Sequence, residues 1–204
     1  MNVLKKRKNN WKAEKLAIGI IGGTFDPIHT AHLIIAQYIG EILNLEKILF
    51  VPSSIPPHKT QAASSDDRYE MVKLAIAGNP FFEVSRVEID RTGISYTIDT
   101  IKFIKKEYKQ KIFFIIGADN IPEFHKWHKF EEILKSCEIA IASRSDFNID
   151  SIRNLREAIG EKKYSKLMKN FIFTPIFSIS SSEIRNRIKY KKTIKYLGPD
   201  LVRE

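Results

Sequence analysis

An apolar run that stops at two glycines constrains this chain more than any other feature. Leu16 to Ile21 is apolar, Gly22-Gly23 follows, and the chain continues Thr24-Phe25-Asp26-Pro27-Ile28-His29-Thr30-Ala31-His32. The run predicts a buried strand that ends at a tight turn, and Asp26-Pro27 is itself a turn dipeptide. From His32 the periodicity changes. Leu33, Ile34, Ala36, Tyr38, Ile39, Ile42 and Leu43 predict a helix buried on more than one side. Strand, glycine loop and helix N-terminus in that order make a place for phosphate, because free backbone N–H groups and the positive end of the helix dipole point at the loop. Gly22 and Gly23 let a ligand come close to the backbone. His29 and His32, three apart at the helix start, point the same way once the first turn forms, and two imidazoles there can donate to a pentavalent phosphorus. No Gly-Lys-Ser/Thr follows, so this is no Walker A loop, and the glycine spacing does not fit a dinucleotide fingerprint. The His-x-x-His pair has no third ligand at a usual metal spacing.

The rest of the chain alternates in the same way. Lys47 to Pro52 reads as a second strand, and the following loop, Ser53 to Lys59, is stiffened by Pro56 and Pro57 and presents His58 and Lys59. Asp66 or Asp67 is the expected cap of a helix to about Ala77, ended by Gly78-Asn79-Pro80. Phe82 to Ile89 alternates as a strand, 91–95 is a loop, and a helix opens at Ser95 to Thr100 with Ile101, Ile104 and Tyr108 on its apolar face. Ile112 to Gly117 is the most apolar strand, suited to the centre of a parallel sheet. At its C-terminal end Asp119 can accept both hydroxyls of a ribose. A helix beyond carries His125, Trp127 and His128, and Trp127 reads equally as core. Phe130 to Ser136 predicts a helix, Glu138 to Ser143 a strand, Asp150 to about Tyr164 a charged amphipathic helix on the outer layer, and Phe171 to Phe177 a strand interrupted by Pro175. Ser180 with Glu183 is a capping box that starts a last helix. Strands alternating with helices predict an α/β class: a doubly wound parallel sheet with helices on both faces.

Composition narrows the function classes. The length of 204 residues suits one domain over 16–204, preceded by a basic, flexible N-terminal extension over 1–15. One cysteine, Cys137, excludes an internal disulfide and suits a reducing, cytoplasmic compartment. No apolar run reaches the ~18 residues of a membrane span, and the N-terminus has no secretory h-region. The net charge of +10 favours anionic small substrates. The chain carries no nucleic-acid-binding motif, so nucleic acid is not the expected partner. A homo-oligomer is compatible with the sequence.

Five blocks, in order, carry a resemblance to a known family. Gly22-Gly23-Thr24-Phe25-Asp26-Pro27-x-His29-x-x-His32 resembles the signature of the adenylyltransferase/cytidylyltransferase superfamily, with Ala31 where that signature usually has Gly. Pro56-Pro57-His58-Lys59 and Gly93-x-Ser95-Tyr96-Thr97-x-Asp99-Thr100 are similar to segments of bacterial nicotinate-nucleotide adenylyltransferases. Gly117-x-Asp119 and Ile179-Ser180-Ser181-Ser182-x-Ile184-Arg185 complete the set, Ser182 replacing a usual Thr. The tail 196–200 resembles the family's closing segment, which usually runs somewhat further. The resemblance implies a Rossmann-like nucleotidyltransferase fold and transfer of AMP from ATP to nicotinate mononucleotide, giving deamido-NAD and pyrophosphate in NAD synthesis. It implies His29, His32 and Arg185 as catalytic residues. The implied ATP site takes in Gly22, Gly23, Thr24, Phe25, His29, His32, Gly117, Asp119, Ile179, Ser180, Ser181, Ser182 and Arg185. The implied mononucleotide site takes in Thr24, Lys59, Tyr96, Thr97, Trp127 and His128. Mg²⁺ is expected on the phosphates of ATP, with no metal cage of protein ligands. Two alternatives stay open: another acceptor, nicotinamide mononucleotide or phosphopantetheine, and a basic nucleic-acid-binding protein that keeps the fold.

Overall fold

The computed structural model describes residues 17–55, 62–144, 152–175 and 177–202. Lys59, the Pro56 to Lys59 block and the 1–15 segment lie outside the described residues. Among these residues six parallel strands form one sheet: β1 (Ala17–Gly23), β2 (Ile48–Pro52), β3 (Phe82–Val84), β4 (Lys111–Gly117), β5 (Glu138–Arg144) and β6 (Phe171–Thr174). Their order is β3-β2-β1-β4-β5-β6, and every pairing is parallel. Among the described residues seven α-helices connect and flank them: α1 (Thr30–Ile42), α2 (Ser65–Ile76), α3 (Thr97–Tyr108), α4 (Phe130–Ser136), α5 (Arg153–Ile159), α6 (Glu161–Met168) and α7 (Ser181–Lys189).

The apolar run of β4 is explained by burial on both faces. Ile112, Phe114 and Ile116 pack with Ile98, Ile101 and Ile104 of α3 and with Ile133 and Leu134 of α4. The alternate residues Phe113 and Ile115 pack on the other side with Ala36 and Ile39 of α1 and Val72 and Ile76 of α2. A strand with helices on both faces has no polar side to display, so its sequence shows no alternation. This is the doubly wound arrangement expected from the strand–helix alternation.

Five local expectations are corrected. The cap of α2 is Ser64, whose Oγ accepts from the Asp67 amide at 3.1 Å, while Asp66 and Asp67 sit in the first turn near the dipole's positive end. β3 stops at Val84, because the chain turns at 87–89 and carries Glu88 inward to Thr100 of α3. The 150–164 region is two helices, α5 and α6, broken at Gly160 with φ +79, a conformation open to glycine; Leu155, Ile159 and Leu167 bury their apolar sides. β6 ends at Thr174, ahead of Pro175, and His125 and Trp127 lie at a short 3-10 turn (Phe124–Lys126) rather than on a longer helix.

Candidate active site

β1 and β4 are neighbours at the centre of the sheet, yet the chain leaves β1 towards β2 and leaves β4 towards β5. The connections therefore diverge and open a crevice at the C-terminal ends of these two strands, where open α/β sheets bind ligands. Gly23 ends β1 and Gly117 ends β4. Both predicted loops thus meet at one place. Phe25 takes a left-handed backbone (φ +50) and buries its ring back over Gly23. A Cβ on Gly23 would lie 2.9 Å from Phe25 Cζ, so glycine is required there by packing. At Gly22 a Cβ would meet Phe114 at an ordinary 3.6 Å, so packing alone makes no such demand. The Phe25 ring also stands edge-on to His32, centroids 5.1 Å apart, and braces it.

His29 is the N-cap residue of α1, and His32 is its third helical residue. Their rings stack with centroids 3.7 Å apart and planes 22° apart. The shared direction expected from the spacing is therefore present. The His29 amide donates to His32 Nδ1 at 3.3 Å. With Nδ1 accepting, the neutral His32 ring carries its proton on Nε2. His29 is only 5% exposed, and its Nδ1 is buried without a protein hydrogen-bond partner among the described residues. Burial pushes the His29 pKa down to about 4, so this ring is neutral at pH 7 and offers one N–H donor rather than a charge.

The helix start is less open than the spacing suggested. The Thr30 amide donates to the Leu197 carbonyl at 3.1 Å, and the His32 amide to the His29 carbonyl at 3.0 Å. The chain's own tail thus occupies one of the amides that a bare helix end would offer to phosphate. A second helix end compensates. Ser180 caps α7, its Oγ accepting from the Glu183 amide at 3.1 Å. Ser181 Oγ donates to the Pro27 carbonyl at 2.8 Å, and Arg185 Nη1 donates to the Asp26 carbonyl at 2.5 Å. Arg185 Nη2 donates to Ser182 Oγ at 3.2 Å. The two predicted anchors, more than 150 residues apart in sequence, are tied directly together.

The third group gathers at the start of α3 and after β4. Tyr96 caps α3, Thr97 opens it, and the Tyr96 ring stacks on His128 at 4.2 Å. Trp127 is half-buried, edge-on to Phe114 at 6.2 Å and Phe124 at 5.2 Å, so it belongs partly to the core. Asp119 lies in a 3-10 turn directly after β4, with its side chain exposed. Among the described residues no group of three His, Cys, Asp or Glu side chains is placed to hold a metal. Cys137 is a buried thiol with its pKa pushed up by burial to about 12, which removes it as a nucleophile.

Two functional residues escaped the sequence reading. The sequence places Asp26 at a turn and within the signature, without a role of its own. Its carboxylate is 5% exposed and accepts the Ala62 and Ala63 amides at 2.7 and 3.3 Å, which latches the β2–α2 loop onto the β1–α1 loop. Arg68 is 1% exposed and donates to the carbonyls of Thr24 (2.6 Å), Ser54 (3.2 Å) and Ala63 (3.3 Å). Burial lowers its pKa and the nearby Asp26 charge raises it. Its signal was present in the sequence: Arg68, Val72 and Ile76 repeat at four-residue spacing, so an arginine sits on the buried stripe of α2.

The cytidylyltransferase-like family model matches residues 20–187. A Thermoanaerobacter protein named probable nicotinate-nucleotide adenylyltransferase is 44% identical, over 92% of this chain and 90% of its own length. One from Desulfitobacterium hafniense with the same name is 43% identical, over 95% of this chain and 94% of its own. Among solved structures, the Plasmodium falciparum nicotinic acid mononucleotide adenylyltransferase complexed with NaAD superposes with a TM-score of 0.71, covering 91% of this chain and 92% of that one at 22% identity. No helix among the described residues is long and apolar enough to cross a membrane.

Proposed function

The chain belongs to the cytidylyltransferase-like family, with the nicotinate-nucleotide adenylyltransferases as its near relatives, and on that premise we propose that it transfers AMP from ATP to nicotinate mononucleotide, giving deamido-NAD and pyrophosphate in NAD synthesis. The observation that carries the reading is the stacked His29–His32 pair at the start of α1, with the start of α7 tied by Ser181 and Arg185 to the loop that leads to the pair.

The mononucleotide's phosphate oxygen attacks the α-phosphorus of ATP in line, and pyrophosphate leaves. The attacking oxygen is already anionic, so the protein needs no base. Its task is to align two polyanions and to stabilise charge on the oxygens around phosphorus. A neutral His29 suits this work, because its N–H donates without a proton that must first be lost. His32, with Nδ1 accepting a backbone amide, has Nε2–H to donate. Gly22, Gly23, Thr24 and Phe25 form the floor of the phosphate site. Ser181, Ser182 and Arg185 hold the departing pyrophosphate, with Ile179 and Ser180 leading into that helix end. Gly117 and Asp119 receive the ATP ribose. Thr97, Tyr96, Trp127 and His128 form the wall for the pyridine ring, and Lys59 is assigned to the mononucleotide phosphate.

Mg²⁺ enters as part of the ATP substrate complex. The donors that converge here are imidazoles, hydroxyls and a guanidinium, and the buried carboxylate of the β1–α1 loop, Asp26, is engaged by backbone amides, which suits a metal carried on phosphate oxygens. A reaction fed by ATP, in a chain whose sole cysteine is a free thiol, fits the cytoplasm. The test is pyrophosphate release with ATP and Mg²⁺ and three acceptors in parallel: nicotinate mononucleotide, nicotinamide mononucleotide and phosphopantetheine. Turnover with the first, and at most weak turnover with the others, is expected. Preference for either of the others would overturn the acceptor assignment.

A further inference from the structure

We propose that Arg68 is a positioning residue for adenylyl transfer, holding the loop that carries the histidine pair in fixed register with the loops that receive the mononucleotide. The inference rests on the reaction proposed above. Arg68 itself touches no reacting group; it acts through backbone. Nη1 donates to Thr24 O at 2.6 Å, one residue past β1, and Nη2 donates to Ser54 O at 3.2 Å, two residues past β2. Nε donates to Ala63 O at 3.3 Å, at the entry to α2. One planar fork therefore fixes three carbonyls on two loops.

The connection continues beyond Ser54. The Ser54 amide donates to Ser95 Oγ at 3.1 Å, and the Ser95 amide returns to Ile55 O at 3.1 Å. Ser95 also lies close enough to the buried Glu88 carboxyl to favour its charged form, and that carboxyl accepts Thr100 Oγ1 at 2.5 Å. A partly buried polar chain thus runs from Thr24, through Arg68, Ser54, Ser95 and Glu88, to Thr100 in the first turn of α3. One end sets the loop leading to His29 and His32. The other sets Tyr96 and Thr97.

Fold stability alone does not call for this arrangement. Taking a guanidinium out of water is costly, and buried ionic groups can often be replaced by apolar residues of similar volume with little loss. The neighbouring stripe positions on α2 are Val72 and Ile76. What an apolar residue there could not do is define the spacing of two loops. Lysine could not do it either, since its ammonium is a point donor on a flexible stem, while arginine's donors diverge in a rigid plane.

The experiment compares wild type with Arg68→Lys, Arg68→Met and Arg68→Ala. Pyrophosphate release is measured at saturating ATP and nicotinate mononucleotide, KM is measured for each substrate, and the histidine ring signals are followed by NMR. A displacement of about 1 Å in a substrate-aligning loop lowers kcat by roughly 100-fold. That loss is expected in Arg68→Lys and Arg68→Met, with both KM values close to wild type. Methylguanidinium added to Arg68→Ala should restore kcat, and added to Arg68→Met, whose side chain fills the site, should not. The signals of the stacked His29–His32 pair should move towards those of solvated imidazoles in both variants, a readout that does not depend on turnover. If Arg68→Met does not fold, Arg68→Lys decides, because it keeps the charge and most of the volume. Wild-type kcat and unmoved ring signals in Arg68→Lys would overturn the proposal. Absence of wild-type turnover would instead overturn the reaction assignment, leaving the ring signals to judge the role of Arg68.

Discussion

Lowering the pH from 7 to 4.5 should weaken this fold through one imidazole, and the size of the effect can be worked out in advance. In the unfolded chain His29 titrates near 6.5, whereas in the folded protein burial lowers its pKa to about 4. Between those values the unfolded state binds more protons, so stability increases with pH across the window. The contribution is fully present above about 6.5 and is lost progressively as pH falls towards 4. The full shift corresponds to about 3 kcal/mol, and by pH 4.5 a loss of about 2 to 3 kcal/mol is expected. Other groups titrate in the same range, so the assay needs a difference. Urea unfolding of wild type and His29→Asn at pH 7 and at pH 4.5 isolates the term, since asparagine keeps a short polar side chain that does not titrate. Wild type should lose about 2 to 3 kcal/mol more than the variant over that interval. Identical pH slopes for the two proteins, or a His29 ring titrating between 6 and 7 by NMR, would refute the reasoning. The neutral-donor role assigned to His29 would then fall with it.

Three further outcomes are expected. His32→Ala should lower kcat by roughly 10²- to 10³-fold, the scale of losing one transition-state donor, and should also cost about 1 kcal/mol of stability through the lost acceptor for the His29 amide; an unchanged kcat would remove the pair from the mechanism. Trp127→Ala should raise KM for the mononucleotide and also cost about 2 to 3 kcal/mol of stability, because the indole packs edge-on against Phe114 and Phe124; a rise confined to the ATP KM would move the pyridine ring elsewhere. Gly23→Ala should lower both stability and kcat, since its Cβ would lie 2.9 Å from the Phe25 ring that braces His32, whereas Gly22→Ala, with 3.6 Å to Phe114, should fold normally and show any defect in the ATP KM alone. Unfolding midpoints and steady-state kinetics of the two alanine variants distinguish packing from ligand approach at the two glycines.

The sequence was most legible where the physics is local. The apolar run into Gly22-Gly23, the unbroken Ile112–Ile116 core strand and the Ser180–Glu183 cap depend on neighbours a few residues away, and each stands where it was expected. The single outer helix failed at Gly160, whose positive φ breaks it, and the long third strand failed because Glu88 turns inward to Thr100. What sequence spacing could not display is which backbone carbonyls a side chain will reach. Ser181 and Arg185 find Pro27 and Asp26 more than 150 residues away, Leu197 covers the Thr30 amide, and Arg68 joins Thr24 to Ser54. The signature aspartate shows the consequence for chemistry. A carboxylate between a glycine loop and two histidines invites a reading as a general base. Here both oxygens of Asp26 accept amides of the neighbouring loop, its carbonyl accepts Arg185, and the side chain is 5% exposed. Such a group organises the two loops. That agrees with a reaction whose nucleophile arrives already ionised, so alignment and charge stabilisation are what the site has to supply.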